Sequence, residues 1–121
     1  MQKNTTNTLQ TTKQKVIDLV NKIPASRVTN FGSIGSQIGI SGQMVGWILS
    51  GMREDEWNIC PWYRVVAKDG YISSLKLGTK GLLQKQILEI EGYNFNEDCV
   101  DMSQHFWSFE ENNEEDNNVL L

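Results

Sequence analysis

The feature that most constrains the fold of this chain is a pair of short apolar segments joined by a glycine. The segment FGSIGSQI carries Ile34 and Ile38 four positions apart, and Gly39 follows it. Ser41 then offers an N-cap for a second segment, which runs to about Met52. Apolar residues four apart share one face of a helix, and glycine and serine are preferred at helix ends. The pattern predicts two helices joined by a tight turn, a helix-turn-helix.

The rest of the chain predicts a helix before this pair, then a hairpin and another helix after it. The first helix runs from Lys13 to Ile23, where a proline stops it. Residues 64–74 read RVVAK, an Asp-Gly turn and YISS, which is typical of a hairpin and would form a wing. A loop over residues 75–81 precedes a last helix that extends to Glu91. The predicted fold class is mostly α with a small β wing, a winged helix-turn-helix.

Charge divides the chain into a near-neutral body and an acidic tail. The length of 121 residues predicts one domain. We expect a flexible segment over residues 1–12, a folded body over 13–108 and a disordered acidic tail over 109–121. Five of the 15 acidic residues lie in that tail, so the body carries 11 basic and 10 acidic groups, a net charge of +1. Any nucleic-acid binding must therefore rest on a local site.

The sequence predicts no membrane span, signal peptide, disulfide framework or metal site. No apolar run approaches the 18 or so residues that cross a bilayer, and the amino-terminal segment lacks the apolar stretch of a signal peptide. Two cysteines, Cys60 and Cys99, are too few for a disulfide framework, and neither has a second ligand at metal-binding spacing. We expect an intracellular protein of the cytoplasm or nucleus, without a metal or cofactor.

Small residues recur along the second helix of the pair. Gly42, Gly46 and Ser50 are four positions apart, so they leave one strip of the helix surface without bulky side chains. Such a strip suits close approach to a DNA backbone or minor groove. Packing against a neighbouring helix explains it equally well.

Four ordered motifs carry a resemblance to a known family. The chain contains, in this order, IPASRVTNFGSIGSQIG, GQMVGWILSGM, CPWYRVVAKDGYISS and GLLQKQILEIEGYNF. Over about residues 13–107 it resembles the DNA-binding domain of the O6-alkylguanine-DNA alkyltransferases, and more closely their non-enzymatic relatives, the alkyltransferase-like proteins. In the enzymes a Pro-Cys-His-Arg motif holds the cysteine that accepts the alkyl group. The relatives typically have tryptophan there, and this chain has Pro61 followed by Trp62, Tyr63 and Arg64.

The resemblance implies a function that is not catalytic. Alkyl transfer needs a thiolate activated by a neighbouring base, and an indole cannot serve as the acceptor. Trp62 stands at the acceptor position and Tyr63 at that of the histidine. The implied function is to bind O6-alkylguanine in double-stranded DNA by nucleotide flipping and to mark it for nucleotide excision repair. The implied partners are such DNA and proteins of that repair pathway, and the chain is expected to be a monomer.

The resemblance also assigns roles to individual residues. It implies a lesion pocket of Phe31, Trp62, Tyr63 and Ser73, DNA contacts by Ser41, Gly42, Gln43, Gly46 and Lys76, and structural support by Arg64 and Glu91.

Three further positions, besides Tyr63, depart from the family pattern. Phe31 stands where the family has a tyrosine that helps rotate the flipped nucleotide, so the hydroxyl is missing. Gln43 stands where an arginine enters the base stack. In some alkyltransferase-like proteins a further arginine contacts the lesion, and its nearest counterpart here is Leu75, with Lys76 beside it.

Two alternative functions remain open. The losses at Phe31, Gln43 and Tyr63 favour an interaction or regulatory protein that has kept the fold and lost DNA binding. An active transferase would have to use Cys60, which lies about 6 to 7 Å from residue 62 along an extended chain, with a proline between them. We therefore expect Cys60 and Cys99 to be small core residues and His105 to be a packing residue.

Overall fold

The computed structural model describes residues 3–109, and of residues 3–10 and 77 it describes the backbone alone. Within this range lie five α-helices, which are α1 Lys3–Asn21, α2 Phe31–Ile38, α3 Gly42–Ser50, α4 Thr79–Ile90 and α5 Met102–His105. Four short strands are β1 Thr29–Asn30, β2 Val65–Val66, β3 Phe95–Asn96 and β4 Cys99–Val100. Three 3-10 helices are Glu54–Glu56, Trp62–Arg64 and Ser73–Leu77. The fold is thus mostly helical, as predicted, and its strands form two small two-stranded sheets.

Helix α1 begins ten residues earlier than the sequence pattern predicts. It starts at Lys3 rather than Lys13, so the backbone of residues 3–12, which we expected to be flexible, is helical. This stretch contains neither proline nor glycine, and adding residues to an existing helix costs far less than starting one. The buried turns around Val16 and Val20 provide that existing helix.

The predicted helix-turn-helix is confirmed, and its caps explain where the helices end. The Asn30 side chain accepts a hydrogen bond from the Ser33 amide (2.8 Å) at the start of α2. Gly39 ends α2 in the left-handed conformation at φ 73°. The Ser41 hydroxyl accepts a hydrogen bond from the Met44 amide (3.1 Å) and caps α3.

The predicted hairpin over residues 64–74 is wrong, although its turn is present. Gly70 has φ 91° and donates to the carbonyl of Ala67 (2.8 Å), as an Asp-Gly turn requires. Strand β2, however, pairs in parallel with β1, with Thr29 opposite Val65. The residues after the turn form the 3-10 helix Ser73–Leu77, where the sequence predicted a strand and then a loop. Burial explains the difference, because Val65 and Val66 are both inside the core and so need partners there.

Two apolar clusters form the core. The first joins α1, α2 and α3 to Trp62, and the second joins β2 to α4 and the carboxyl-terminal segment. Phe109, expected to begin the acidic tail, is buried in the first cluster and packs edge-on against Trp107 with ring centroids 4.6 Å apart. The folded body therefore includes Phe109. The rest of the predicted tail lies outside the described residues.

Arg64 and His105 tie distant segments of the chain together. Arg64 donates to the Ile23 carbonyl (3.0 Å) and lies 3.6 Å from the Glu91 carboxylate. Nδ1 of His105 donates to the Ser26 carbonyl (2.8 Å), and Nε2 accepts from a backbone amide (3.0 Å). Both ring nitrogens of His105 are occupied, so this residue is structural.

Neither a membrane span nor a metal site occurs in the described part of the chain. No helix there has both the length and the apolar character to cross a bilayer. Its His, Cys, Asp and Glu side chains form no group that would hold a metal ion.

Candidate functional site

A cavity of about 440 Å³ lies between the helix-turn-helix and the start of α4. Five segments form its walls, and the residues that line it are Phe31, Gly42, Gln43, Gly46, Trp47, Leu49, Ser50, Trp62, Val65, Ser73, Ser74, Lys76, Lys80 and Gln84. Its volume is in the range of about 300–1,000 Å³ that is usual for small-molecule sites. It is the candidate functional site, called the cavity below.

Trp62 forms a buried aromatic wall of the cavity. It opens the 3-10 helix Trp62–Arg64 directly after Pro61, and its side chain is only 6% exposed. Its ring packs against that of Trp57, with centroids 5.5 Å apart. Trp62 is thus both a core residue and a lining residue.

Tyr63 does not line the cavity, although the resemblance placed it in the lesion pocket. Successive residues of a 3-10 helix point about 120° apart, so neighbours on such a turn face different ways. Its hydroxyl donates to the Glu91 carboxylate (3.3 Å), and the Arg64 guanidinium lies 5.5 Å from the centre of its ring. Burial raises the pKa of Tyr63, and the Glu91 carboxylate adds to the effect. Tyr63 is therefore part of a cluster with Arg64 and Glu91, outside the wall of the cavity.

The small-residue strip of α3 allows close helix packing and also borders the cavity. A Cβ at Gly42 would lie 3.0 Å from the backbone nitrogen of Gly32, so Gly42 allows α2 and α3 to pack closely. A Cβ at Gly46 would meet only the Phe31 ring, at 3.9 Å, which is an ordinary contact. Gly42, Gly46 and Ser50 all line the cavity, so the strip also leaves it open.

The other predicted site residues lie in or beside the cavity. Phe31, Ser73 and Lys76 line it, and Lys76 is exposed. Gln43 is exposed in the first turn of α3 and also lines it. Ser41 is absent from the lining, and its hydroxyl is used as the helix cap.

Sequence reasoning missed three polar residues of the cavity wall. Gln84 is buried on α4 and donates to the carbonyls of Tyr63 and Val65, each at 3.0 Å. Its side-chain oxygen accepts a hydrogen bond from the Ser74 hydroxyl. Lys80 lies one turn before Gln84 on the same helix. Lys80 and Gln84 are four positions apart and so share one face of α4, but the predicted loop over residues 75–81 left Lys80 outside the predicted helix.

Lys80 places a half-buried ammonium group beside two indole rings. Its Nζ lies 5.1 Å from the centre of the Trp62 ring and 5.5 Å from that of Trp57. It also donates to the Leu49 carbonyl (3.0 Å) at the end of α3. Burial lowers the pKa of Lys80, because the charged form loses contact with water. The faces of the two indoles partly compensate for that loss.

Cys60 does not line the cavity that Trp62 lines. It is 5% exposed and lines a separate cavity of about 290 Å³, together with Pro61 and Tyr63. Burial raises the pKa of the Cys60 thiol to about 11. The thiolate is the reactive form of cysteine, so Cys60 is a poor nucleophile at neutral pH.

This environment predicts slow labelling of Cys60 by iodoacetamide. A pKa of about 11 instead of 9.0 leaves about 100-fold less thiolate at pH 7, and the labelling rate should rise until the pH passes 11. Peptide mass spectrometry after timed labelling would measure this rate, with a Cys99→Ala variant to remove the half-exposed second thiol. Labelling of Cys60 as fast as that of free cysteine at pH 7 would show that the thiol is not buried in this way.

Fold and cavity together define the chain as a helix-turn-helix domain of the DNA-binding type, with a concave site beside the second helix of the motif. Residues 11–93 match the family model described as the DNA-binding domain of 6-O-methylguanine DNA methyltransferase. The chain belongs to this family. No curated protein sequence matches it significantly.

Two solved structures are similar to almost the full folded body. One is S. pombe Atl1 in complex with damaged DNA containing O6-carboxymethylguanine, with 25% identity, a TM-score of 0.68, and coverage of 79% of this chain and 94% of that one. The other is S. pombe ATL in complex with DNA, with the same identity and TM-score and coverage of 82% and 96%. A variant of M. tuberculosis O6-methylguanine methyltransferase shares the fold at 24% identity and a TM-score of 0.53, covering 65% of this chain and 47% of that one.

Proposed function

We propose that this protein binds O6-alkylguanine in double-stranded DNA by accepting the flipped base in the cavity, without transferring the alkyl group. The observation that carries the proposal is the position of Trp62, a buried aromatic wall of a cavity that opens beside α3. A flipped base is held by stacking on side chains of this kind, at about 1–3 kcal/mol per base. The likeness to Atl1 bound to damaged DNA supports the same conclusion.

The charge around the cavity supports DNA as the ligand. Lys76 and Lys80 line it, and none of the described residues in its wall is acidic. The body of the chain is near neutral, yet two of its cations line the cavity that, on this proposal, receives the flipped nucleotide. Such local charge supplies the part of DNA affinity that depends on salt.

The absence of alkyl transfer is part of the proposal and rests on two residues. Trp62 follows Pro61 where the family's enzymes have the acceptor cysteine, and its ring has no nucleophilic thiol. Cys60 is buried, has a raised pKa and does not line the cavity. The bound lesion then marks the site for nucleotide excision repair, as the resemblance to the alkyltransferase-like proteins implies.

The test of the binding function compares two duplexes of identical sequence, one with a single O6-methylguanine and one undamaged. Fluorescence anisotropy titrations at a fixed salt concentration would measure both dissociation constants. We expect tighter binding to the damaged duplex. Equal affinities would contradict lesion binding, and no binding to either duplex would favour the alternative that follows.

The alternative is an interaction or regulatory protein that has kept the fold and lost DNA binding. The specific observation in its favour is that Phe31 lacks a hydroxyl and Gln43 lacks a charge, although both side chains line the cavity. The two functions predict different effects of a positive charge at residue 43 on DNA affinity and on its salt dependence.

Replacing Gln43 with arginine is expected to tighten binding to both damaged and undamaged duplex. Gln43 is exposed at the start of α3, so a longer planar side chain with a charge would reach the DNA and contact phosphates. The slope of log affinity against log salt should steepen by about one released counterion. Titrations at several salt concentrations would measure this slope. If Gln43→Arg changes neither affinity nor slope, α3 does not enter DNA and the alternative is the better account.

A further inference from the structure

Two polar side chains of the cavity wall, Gln84 and Ser74, use all their donors within the protein, whereas Lys80 does not. Both amide hydrogens of Gln84 go to the carbonyls of Tyr63 and Val65, and its oxygen accepts from Ser74. Ser74 has thereby donated its hydroxyl hydrogen, so Gln84 and Ser74 have no donor left for a ligand. Lys80 is different, because an ammonium group has three N–H donors and the Leu49 carbonyl takes one of them.

No carboxylate of the described residues forms an ion pair with Lys80. Among the residues that the structure describes, the carboxylates that form ion pairs do so with Lys13, Arg53, Arg64 and Lys85. The neighbours of Lys80 are the faces of Trp62 and Trp57 and one carbonyl. A half-buried cation with spare donors is thus held against the aromatic wall on which a flipped base would stack.

We propose that Lys80 reads the flipped base by donating hydrogen bonds from Nζ to acceptors on the edge of O6-alkylguanine. This inference rests on the proposed function and names the residue that selects the lesion. Alkylation at O6 removes the proton from N1, so N1 is a hydrogen-bond donor in guanine and an acceptor in the lesion. Lysine is a donor only, and hydrogen bonds from lysine to guanine O6 and N7 are among the commonest specific contacts to DNA bases.

The two lysines of the cavity, Lys80 and Lys76, differ in burial and in their contacts. Lys76 lies in the 3-10 helix Ser73–Leu77 and is exposed, so it can meet the phosphates outside the cavity. Lys80 is half-buried, its Nζ lies 5.1 Å from the centre of the Trp62 ring, and its bond to Leu49 fixes its direction. Lys76 is therefore a matched control, with the same charge on the same cavity but without contact with the aromatic wall.

The experiment measures the affinity of three variants for the O6-methylguanine duplex and for the undamaged duplex. Lys80→Met keeps the length and apolar stem of the side chain but removes the donors. We expect it to weaken binding to the damaged duplex by about 10- to 100-fold, the usual effect of losing a charged hydrogen bond, and to change undamaged binding little. Lys80→Arg restores charge and donors and should recover most of the preference. Lys76→Met should weaken binding to both duplexes equally. It should also lower the slope of log affinity against log salt by about one.

The outcomes distinguish this inference from the proposed function. If wild-type protein prefers the damaged duplex and Lys80→Met keeps that preference while remaining folded by circular dichroism, Lys80 does not read the base. If Lys80→Met loses affinity for both duplexes equally, as expected for Lys76→Met, Lys80 contacts phosphate and the inference is again wrong. If wild-type protein has no preference, the proposed function fails and this inference fails with it.

Discussion

Replacing Trp62 with alanine is expected to lower the free energy of unfolding by about 3–5 kcal/mol, the usual cost of truncating a buried aromatic side chain. Trp62 is 6% exposed and belongs to the first core cluster, so its loss leaves a void next to Trp57. Affinity for damaged DNA should also fall, by about 1–3 kcal/mol, because one stacking surface is gone. Urea unfolding and anisotropy titrations would measure the two effects separately.

A second substitution separates stacking from stability. Trp62→Leu keeps apolar bulk in the core but offers no aromatic face, whereas Trp62→Phe keeps a ring. We expect the leucine variant to lose lesion preference while it stays folded, and the phenylalanine variant to keep most of that preference. A leucine variant that is less stable but has unchanged lesion preference would show that Trp62 is only a core residue.

Replacing Gln84 with leucine is expected to be the next most damaging change. Gln84 is 3% exposed and joins the Trp62–Arg64 segment, β2 and Ser74 through three hydrogen bonds. Leucine fills similar space but leaves the carbonyls of Tyr63 and Val65 without these donors, at about 1–3 kcal/mol for each buried group. Because these segments form the cavity wall, lesion affinity should fall together with stability.

The same helix provides a matched control for this change. Gln86 is exposed on α4, so Gln86→Leu should alter the free energy of unfolding by no more than about 0.5 kcal/mol. Urea unfolding of both variants would measure the difference. Equal stabilities for Gln84→Leu and Gln86→Leu would mean that the buried hydrogen bonds of Gln84 do not hold the wall.

The helix-turn-helix was predictable because local chemistry determines it. The bounds of α2 follow from the capping side chain of Asn30 and the left-handed glycine at Gly39, and α3 follows from the cap at Ser41. Each of these interactions joins residues within five positions along the chain. Sequence reasoning therefore placed the two helices and the turn correctly.

The partner of β2, the direction of Tyr63 and the position of Lys80 were not predictable, because residues far along the chain determine them. The Asp-Gly sequence specified a turn, but the partner of β2 is β1, whose Thr29 lies opposite Val65. The direction of Tyr63 depends on a 3-10 turn and on Glu91, 28 residues away. Lys80 enters the site only because α4 begins at Thr79 and packs beside the Ser73–Leu77 helix. Motif resemblance thus found Trp62, Phe31 and Ser73, and the structure was needed to find Lys80.

The central claim is that the protein holds an alkylated base without taking its alkyl group. The most direct test incubates a saturating amount of protein with the O6-methylguanine duplex, recovers the complex, and then measures the intact protein mass and the O6-methylguanine left in the DNA. We predict a recovered complex, an unchanged protein mass and an unchanged amount of lesion, since the thiol of Cys60 lies outside the cavity. A protein that gains one methyl group while the DNA loses its lesion would contradict the account and identify an active transferase.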